Sequence, residues 1–430
     1  MKDRFFLNDR EAIFVRRPNR FLIIAKDGEE IPCHCPNPGR LIEFFGFRGR
    51  DIPGIRMILE KRAEGGRVQA AKTAYTAVGL YYPGGPDGRE SIVPLFSSRA
   101  NRAAQDLILK KIIPGLRDVH PEYTLGNSRF DFLCTGEGGQ RHLVEVKACS
   151  LVEQGVAMFP DAPSERALKH LEELAVLSRR GYVCHVLFVI VHGRPRVFIP
   201  NLHTDPALAA GLSRLGKAAE PAAAGKKRRE QGTPAKSGKT RRSGKVLVHA
   251  ALLRLDSQGR AGLARASVPV DLSHGNLAES DRGSYLVILE LTEEKETGVG
   301  SLGTLRFKPG WYVYAGSAQK NLRSRINRHL RKKGKEKHWH LDYLTPLAGS
   351  IRALPFMSYR NLECALSAEL AALGGTPVRS AAGGKPGFGA SDCTGGCPSH
   401  LWYFAKPPVQ DRAFVDMLFR YRHVEALRSR

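Results

Sequence analysis

Residues 128–147 read SRFDFLCTGEGGQRHLVEVK, and this stretch decides the fold of the first half of the chain. Phe130 to Leu133 and His142 to Lys147 are short strand-like runs, and Gly136, Gly138 and Gly139 between them supply a turn, so the pair predicts a β-hairpin. Successive side chains of a strand point to opposite faces, so Val144 and Val146 share one face and Glu145 and Lys147 the other. With Asp131 on the facing strand, two carboxylates and a lysine meet at one end of a sheet. Hard oxygen ligands of this kind hold a divalent cation, and an ammonium beside them orients an attacking water or steadies a phosphate. Taken alone, the same residues also describe an ordinary exposed strand face with a surface salt bridge.

The flanks extend the pattern in both directions. Upstream, FLIIAK, EEIPCHCPNPGR, LIEFFGFRGRDI and RMILEKR are short strand-like runs punctuated by Pro and Gly, which predicts a small β-barrel or curled sheet over about 21–82. Arg20, Arg40, Arg48, Arg50 and Arg56 interleave there with Phe44, Phe45 and Phe47, a mixture suited to nucleic acid, although arginine on solvated loops is the commoner explanation. After Pro94, Asn101 is placed to cap a helix with Ala104, Leu107, Ile108 and Ile112 on one stripe. Downstream, Ser164 opens SERALKHLEELAVLSRR, Gly181 is placed to end it, and YVCHVLFVIVHG reads as a buried strand. This order of helix, hairpin, helix and strand predicts an α/β core with a mixed sheet.

Bulk properties narrow the function classes. A chain of 430 residues accommodates two or three domains, and 67 Lys and Arg against 42 Asp and Glu leave a net charge of +25. Such an excess points to a polyanionic partner, nucleic acid in the first place, with general solubility or an anionic membrane surface as the plainer reading. No apolar run approaches the roughly 20 residues of a membrane helix, and no signal-peptide pattern opens the sequence, so the expected compartment is the cytoplasm without a membrane partner. Eight cysteines at unpatterned spacings predict reduced thiols rather than a disulfide framework. The tract 217–245, KAAEPAAAGKKRREQGTPAKSGKTRRSGK, lacks the apolar surface to fold alone; Lys226, Lys227, Arg228 and Arg229 suit a phosphate-binding arm.

These residues together carry a family resemblance. RFLIIAKDGEEIPCHCPNPGRLIEF, SRFDFLC and HLVEVKACSLVEQGVAMFPDAPSERALKHLEEL resemble sugar fermentation stimulation protein A (SfsA) across nearly the whole N-terminal half. The resemblance implies a DNA-binding protein with an OB-like barrel, residues 1–85, and a nuclease-like core of the PD-(D/E)XK type, residues 86–275, with 217–245 as an insertion. It implies that Asp131, Glu145 and Lys147 occupy the motif positions of that core and that Mg²⁺ or Mn²⁺ is the metal. It also draws attention to His34, Asn37 and Gly39 and to Phe159, Pro160, Asp161, Arg166, Lys169 and His170. Pro38 and Arg40 stand where Thr and an apolar or small residue are expected. A fuller site has one more acid, to be supplied by Asp106, Glu122 or Glu165.

The second half has its own signature. GSYLVILEL, the basic turn GTLRFKPG, WYVYAGSA and LRSRINRHLRKK give a β, β, α order. Residues 280–406 resemble a small α/β domain of the GIY-YIG nuclease superfamily. The resemblance assigns Tyr285 and Tyr314 with Gly316 to the two tyrosine motifs, Arg325 to the helix arginine and Glu363 to the metal-binding acid. Each also has a plain structural reading, as core tyrosines or as solvated charges. The gap between the tyrosine motifs is long, and no lysine follows Gly316. Arg323 adds a phosphate contact in the same helix. Cys393, Cys397 and His400 have tolerable zinc spacing, but a structural site needs four ligands and only a distant Cys364 or another histidine is available, so zinc is not expected there. The chain closes on a basic amphipathic helix, 407–430, with Phe414, Leu418 and Tyr421 for docking and Arg412, Arg420, Arg422 and Arg428 for solvent.

The sequence therefore predicts a multidomain α/β (α+β) protein that binds DNA through Arg20, His34, Asn37, Arg40, Arg166, Lys169, Arg323 and the basic tract. It predicts a divalent-metal-dependent endonuclease, with Asp131, Glu145 and Glu363 as metal ligands. The alternative is a non-catalytic DNA-binding regulator that uses nuclease folds as scaffolds.

Overall fold

Strands Ser128–Thr135 and Arg141–Cys149 form the expected hairpin, paired from Thr135 opposite Arg141 to Phe132 opposite Val144. Gly138 and Gly139 take positive φ angles of 63° and 76°, which only the absence of a Cβ makes inexpensive. The computed structural model describes residues 4–47, 49–62, 73–83, 90–126, 128–219, 245–334, 336–380 and 387–423. It divides into two units, Met1–Leu41 with Pro53–Gly275, and Ile42–Ile52 with Asn276–Arg430.

In the first unit the hairpin sits in a six-stranded sheet ordered Ala261–Arg265, Val246–Leu255, Val183–Ile190, Arg141–Cys149, Ser128–Thr135, Asp118–Leu125. The three inner strands from Val246–Leu255 to Arg141–Cys149 run parallel and the outer pairings are antiparallel, so the sheet is mixed. Parallel strands covered on both faces are apolar nearly throughout, as VCHVLFVI is. One face packs Phe130 and Phe188, together with Phe198 from the separate strand Val197–Pro200, against Leu171 and Leu174 of the helix Glu165–Ser178. Ser164 caps that helix, its hydroxyl accepting from the Ala167 N–H at 3.2 Å. The other face packs Phe132, Val144 and Val146 against Ile108, and this core also takes in Phe6, Ile58 and Val78 from the barrel.

The barrel itself is built from Arg10–Asn19, Leu22–Asp27, Glu29–His34, Arg56–Lys61 and Tyr75–Tyr82. It closes where Cys33 and His34 pair in parallel with Tyr75 and Thr76, giving five strands of OB-like type with Ser91–Pro94 added to the last. Buried Arg17 holds the loop that follows the third strand. Its guanidinium donates to the carbonyls of Arg20, Asn37, Gly39 and Arg40 at 2.8 to 3.1 Å. Asn37 Oδ1 accepts from the Gly39 N–H at 2.9 Å. A Cβ on Gly39 would lie 2.0 Å from Asp161 Oδ2, so the glycine admits the Asp161 carboxylate to the loop.

Two local expectations are corrected. LIEFFGFRGRDI is not a barrel strand: Ile42–Phe45 is a helical turn, Gly46–Phe47 pairs with Arg50–Asp51, and the segment belongs to the second unit. Phe44, Phe45 and Phe47 are buried, because three aromatic side chains in four residues gain more from a core than from a solvated face. Asn101 does not cap its helix. It lies inside Arg99–Ala103, which continues through a wider π-type turn, Ala104–Ile108, into Leu109–Ile112.

The second unit is an antiparallel sheet ordered Ser350–Met357, Gly283–Leu291, Gly310–Ala318, Leu401–Phe404, Thr376–Pro377, with helices Leu322–Leu330 and Glu363–Ala372. The last helix, Arg412–Arg422, buries Phe414 and Leu418, and Tyr421 Oη donates to Glu369 Oε1 at 3.2 Å. Arg412 is not left to solvent: its guanidinium donates to the carbonyls of Glu43 and Phe44. Lys226, Lys227, Arg228, Arg229 and Arg428 lie outside the described residues. Among the described residues no helix is long and apolar enough to cross a membrane.

Candidate functional site

The hairpin ladder ends where its charged residues begin. Beyond the Phe132–Val144 pair, the Val146 N–H is taken by a side chain: Asp131 Oδ2 accepts it at 2.7 Å. Asp131 Oδ1 accepts from Asn101 Nδ2, also at 2.7 Å, which ties the helix that carries Asn101 to this strand. Glu145 is 3% exposed, and its Oε1 meets both Lys147 Nζ and, at 2.6 Å, the Nδ1 of buried His170. Its other oxygen, Oε2, is buried with no hydrogen-bond partner. Burial, and then the neighbouring Glu145 charge, push the Asp131 carboxyl above its usual value. Burial pushes Glu145 up as well, but the His170 and Lys147 contacts outweigh it and hold Glu145 below its usual value.

Asp131, Glu145 and Lys147 thus converge as the sequence predicts, and two further residues join them. His170 was singled out only through the family resemblance; its period-of-four spacing from Arg166 hides that it faces inward while Arg166 and Lys169 face solvent. Asn101, which the sequence presents as a helix cap, instead meets Asp131. The three acids considered for a fuller site do not arrive: Asp106, Glu122 and Glu165 are exposed, and Asp106 pairs with Arg102. Of the other residues expected to meet nucleic acid, Arg20 and Arg40 are exposed, His34 is half-buried and Asn37 is buried in its own turn.

In the second unit the two tyrosines share one face of neighbouring strands, Tyr285 opposite Gly316 and Tyr314 opposite Val287, with ring centroids 6.4 Å apart. A Cβ on Gly316 would lie 2.6 Å from both Cζ and Oη of Tyr285, so the glycine lets the ring lie across the partner strand. Tyr285 Oη is 2.9 Å from Nε2 of buried His329, and Arg325 stands beside the same hydroxyl while stacking on Trp339. Burial raises both phenols well above the ordinary value, so they act as neutral donors at neutral pH. Glu363 Oε2 accepts from Ser317 Oγ at 2.6 Å, and Oε1 lies 2.9 Å from His400 Nδ1, an ion pair when the imidazole is protonated. Burial would raise Glu363, but His400 and Ser317 hold it below its usual value. Ser317 therefore stands where a lysine was looked for. Arg323 is exposed and pairs with Asp281.

The cysteines depart most from expectation. Cys364, in the first turn of Glu363–Ala372, comes to Cys393, Cys397 and His400, and one ligand atom from each of the four lies within 4.8 Å of the others. The missing fourth ligand was the distant one, twenty-nine residues from Cys393, which spacing alone does not bring near.

An OB-type barrel sharing a core with a mixed sheet that carries Asp, Glu and Lys at its split hairpin defines a protein of the barrel-plus-nuclease-like-core class. Residues 15–86 match the SfsA N-terminal OB domain and residues 98–222 the sugar fermentation stimulation protein RE domain. The chain belongs to the sugar fermentation stimulation protein family. It is 36% identical over 214 residues to a sugar fermentation stimulation protein homolog of Desulfitobacterium hafniense, covering 49% of this chain and 86% of that one. A homolog from Methanothermobacter thermautotrophicus is 35% identical over 215 residues, 49% of this chain and 82% of that one. A solved structure of Pyrococcus furiosus SfsA in complex with Ca²⁺ is similar at 24% identity and a TM-score of 0.47, over 62% of this chain and 99% of that one. Residues 284–422 match a domain of unknown function, DUF123, which is GIY-YIG-like.

Proposed function

We propose that this protein binds DNA and hydrolyses phosphodiester bonds with the help of a divalent cation. One observation supports the reading above the rest: Glu145 Oε2 is a buried carboxylate oxygen without a partner, beside a second carboxylate whose proton affinity Glu145 itself raises. Buried unpaired carboxylate oxygen is costly, and a hard cation such as Mg²⁺ or Mn²⁺ satisfies it. The donor set fits: Asp131 and Glu145 would hold the metal, which when bound supplies Lewis acidity and an activated water. Lys147 steadies Glu145 and offers its charge to phosphate, while His170 fixes the Glu145 rotamer. In the second unit Glu363 would hold a cation, Arg325 the phosphate, and Tyr285 and Tyr314 would orient it as neutral donors. The charge of +25 provides sequence-independent affinity for the polyanion, to which Arg20, Arg40, Arg166, Lys169, Arg323 and the tract 217–245 contribute.

A second reading, a DNA-binding regulator without catalysis, is favoured by Asn101, an amide that occupies the Asp131 flank where a third acid would serve a metal. Incubating supercoiled plasmid and branched DNA with Mn²⁺ and wild type, Glu145→Ala or Glu363→Ala separates the two. The nuclease reading expects nicking that Glu145→Ala reduces by 10²-fold or more, an order of magnitude set by losing a positioned catalytic group. Salt-sensitive binding without metal-dependent cleavage supports the regulator instead. Single-stranded DNA, duplex DNA and RNA run in parallel assign the substrate.

A further inference from the structure

The second unit holds a four-ligand cluster that the nuclease reading does not use. Cys364 Sγ and Cys393 Sγ are 3.5 Å apart, and the ligand atoms of Cys364, Cys393, Cys397 and His400 all fall within 4.8 Å of one another. A tetrahedral zinc with Zn–S bonds of about 2.3 Å places its sulfurs about 3.8 Å apart, so the cluster is already near the closed shape. The chain around it is shaped for close approach. A Cβ on Gly395 would lie 2.7 Å from Cys364 Sγ and 3.8 Å from Cys393 Sγ, and Gly396 takes a φ of +70° that turns the loop back toward Cys397. His400 is 2% exposed, and its Nε2 has no hydrogen-bond partner. A buried ring nitrogen left unpaired in a ring of three thiols is an unfinished coordination shell.

We propose that Cys364, Cys393, Cys397 and His400 bind one zinc ion as a Cys₃His structural site. Three thiolates and one imidazole are the donor set that zinc takes in closed tetrahedral sites, and a hard cation such as Mg²⁺ disfavours it. The ligands come from a helix, a glycine turn and the residue before the strand Leu401–Phe404, so the ion cross-links three elements. It also reaches the candidate catalytic acid without touching it. Cys364 follows Glu363 in the chain, and His400 Nδ1 faces Glu363 Oε1, so zinc on Nε2 leaves Nδ1–H to orient that carboxylate. Glu363 is a positioned residue in this arrangement, and the zinc site stands whether or not the unit cleaves DNA.

The test uses the full chain, purified without a metal-affinity step and desalted after exposure to Zn²⁺. Elemental analysis is expected to find about one zinc per chain, and the X-ray absorption fine structure three sulfurs near about 2.3 Å and one nitrogen near about 2.0 Å. Cys397→Ser and Cys364→Ser are expected to bring the zinc content close to zero, while Cys184→Ser, a buried cysteine of the first unit, leaves it unchanged. If the ligand variants fail to fold, the absorption spectrum of wild-type protein still decides. Retention of no zinc, a shell of oxygen and nitrogen only, or a Cys364–Cys393 disulfide in non-reducing peptide mapping overturns the proposal. Loss of cleavage with zinc retained would count against the nuclease reading alone.

Discussion

Replacing Gly316 by alanine tests the packing that makes the tyrosine pair. The added Cβ would meet Cζ and Oη of Tyr285 at 2.6 Å, about an ångström inside ordinary contact. The ring has nowhere cheap to go: it is 2% exposed, and its hydroxyl is fixed 2.9 Å from His329 Nε2. Gly316 has no positive φ, so the cost is steric rather than conformational. Overpacking of this kind costs about 1–3 kcal/mol, which for a unit of this size lowers its melting temperature by about 2–12 °C. Scanning calorimetry of the full chain reads the shift in the second unit's transition. Gly298→Ala, where a Cβ meets nothing within 4 Å, is the control and should stay within about 0.5 kcal/mol of wild type. Tyr285→Leu is destabilising by itself, but in that background Gly316→Ala should cost less than about 0.5 kcal/mol, because the colliding atoms are gone. An unchanged melting temperature for Gly316→Ala, or the same penalty in both backgrounds, refutes the assignment of Gly316 to ring clearance.

Two further outcomes follow from the first unit. Arg17→Lys keeps the charge but cannot serve carbonyls in four directions, so chemical denaturation should show a loss of about 2–4 kcal/mol from buried acceptors left unpaired; an effect below about 0.5 kcal/mol would show that water replaces the guanidinium. His142, His185 and His249 form a stacked ladder, with ring nitrogens 2.9 and 3.0 Å apart across three strands. Burial pulls His185 down to about 3 and His249 down to about 4, so between those values and 6.5 the unfolded chain binds more protons than the folded one. Stability is therefore full above about pH 6.5 and falls with acid by up to about 2.7 kcal/mol per pH unit while both groups titrate, down to about pH 4, then half as steeply to a floor near pH 3. The measured slope should drop by about half in His249→Gln, and a slope that ignores this change would exclude the ladder as its source.

How much the sequence disclosed depended on whether a contact is local. The hairpin around Asp131, Glu145 and Lys147 was legible because the period of two and a glycine turn act over twenty residues. Tyr285, Tyr314 and Arg325 were legible through motif order. An asparagine before an apolar stripe looks like a cap, and only tertiary packing shows the Asn101 amide meeting Asp131. His170 and Cys364 depend on which face of a helix turns inward. His400 was noticed for its spacing to Cys397, yet its neighbour Glu363 lies far away in the chain. Phe44, Phe45 and Phe47 look like barrel residues in the sequence because a short apolar run does not say which core receives it.

That last segment orders events during synthesis. Ile42–Ile52 belongs to a unit whose remaining residues begin at Asn276, 224 residues after Ile52. At about 5–20 residues per second the ribosome needs roughly 10–45 s to cover that distance. During that time the barrel strands on either side can pair, while three phenylalanines wait without the partners that bury them. A nascent chain stalled before residue 276 should carry this sticky loop exposed, a handle for chaperones. No single cut in the gene separates the two units cleanly, so a fragment starting at Asn276 has to be supplied with residues 42–52 as a peptide to be whole.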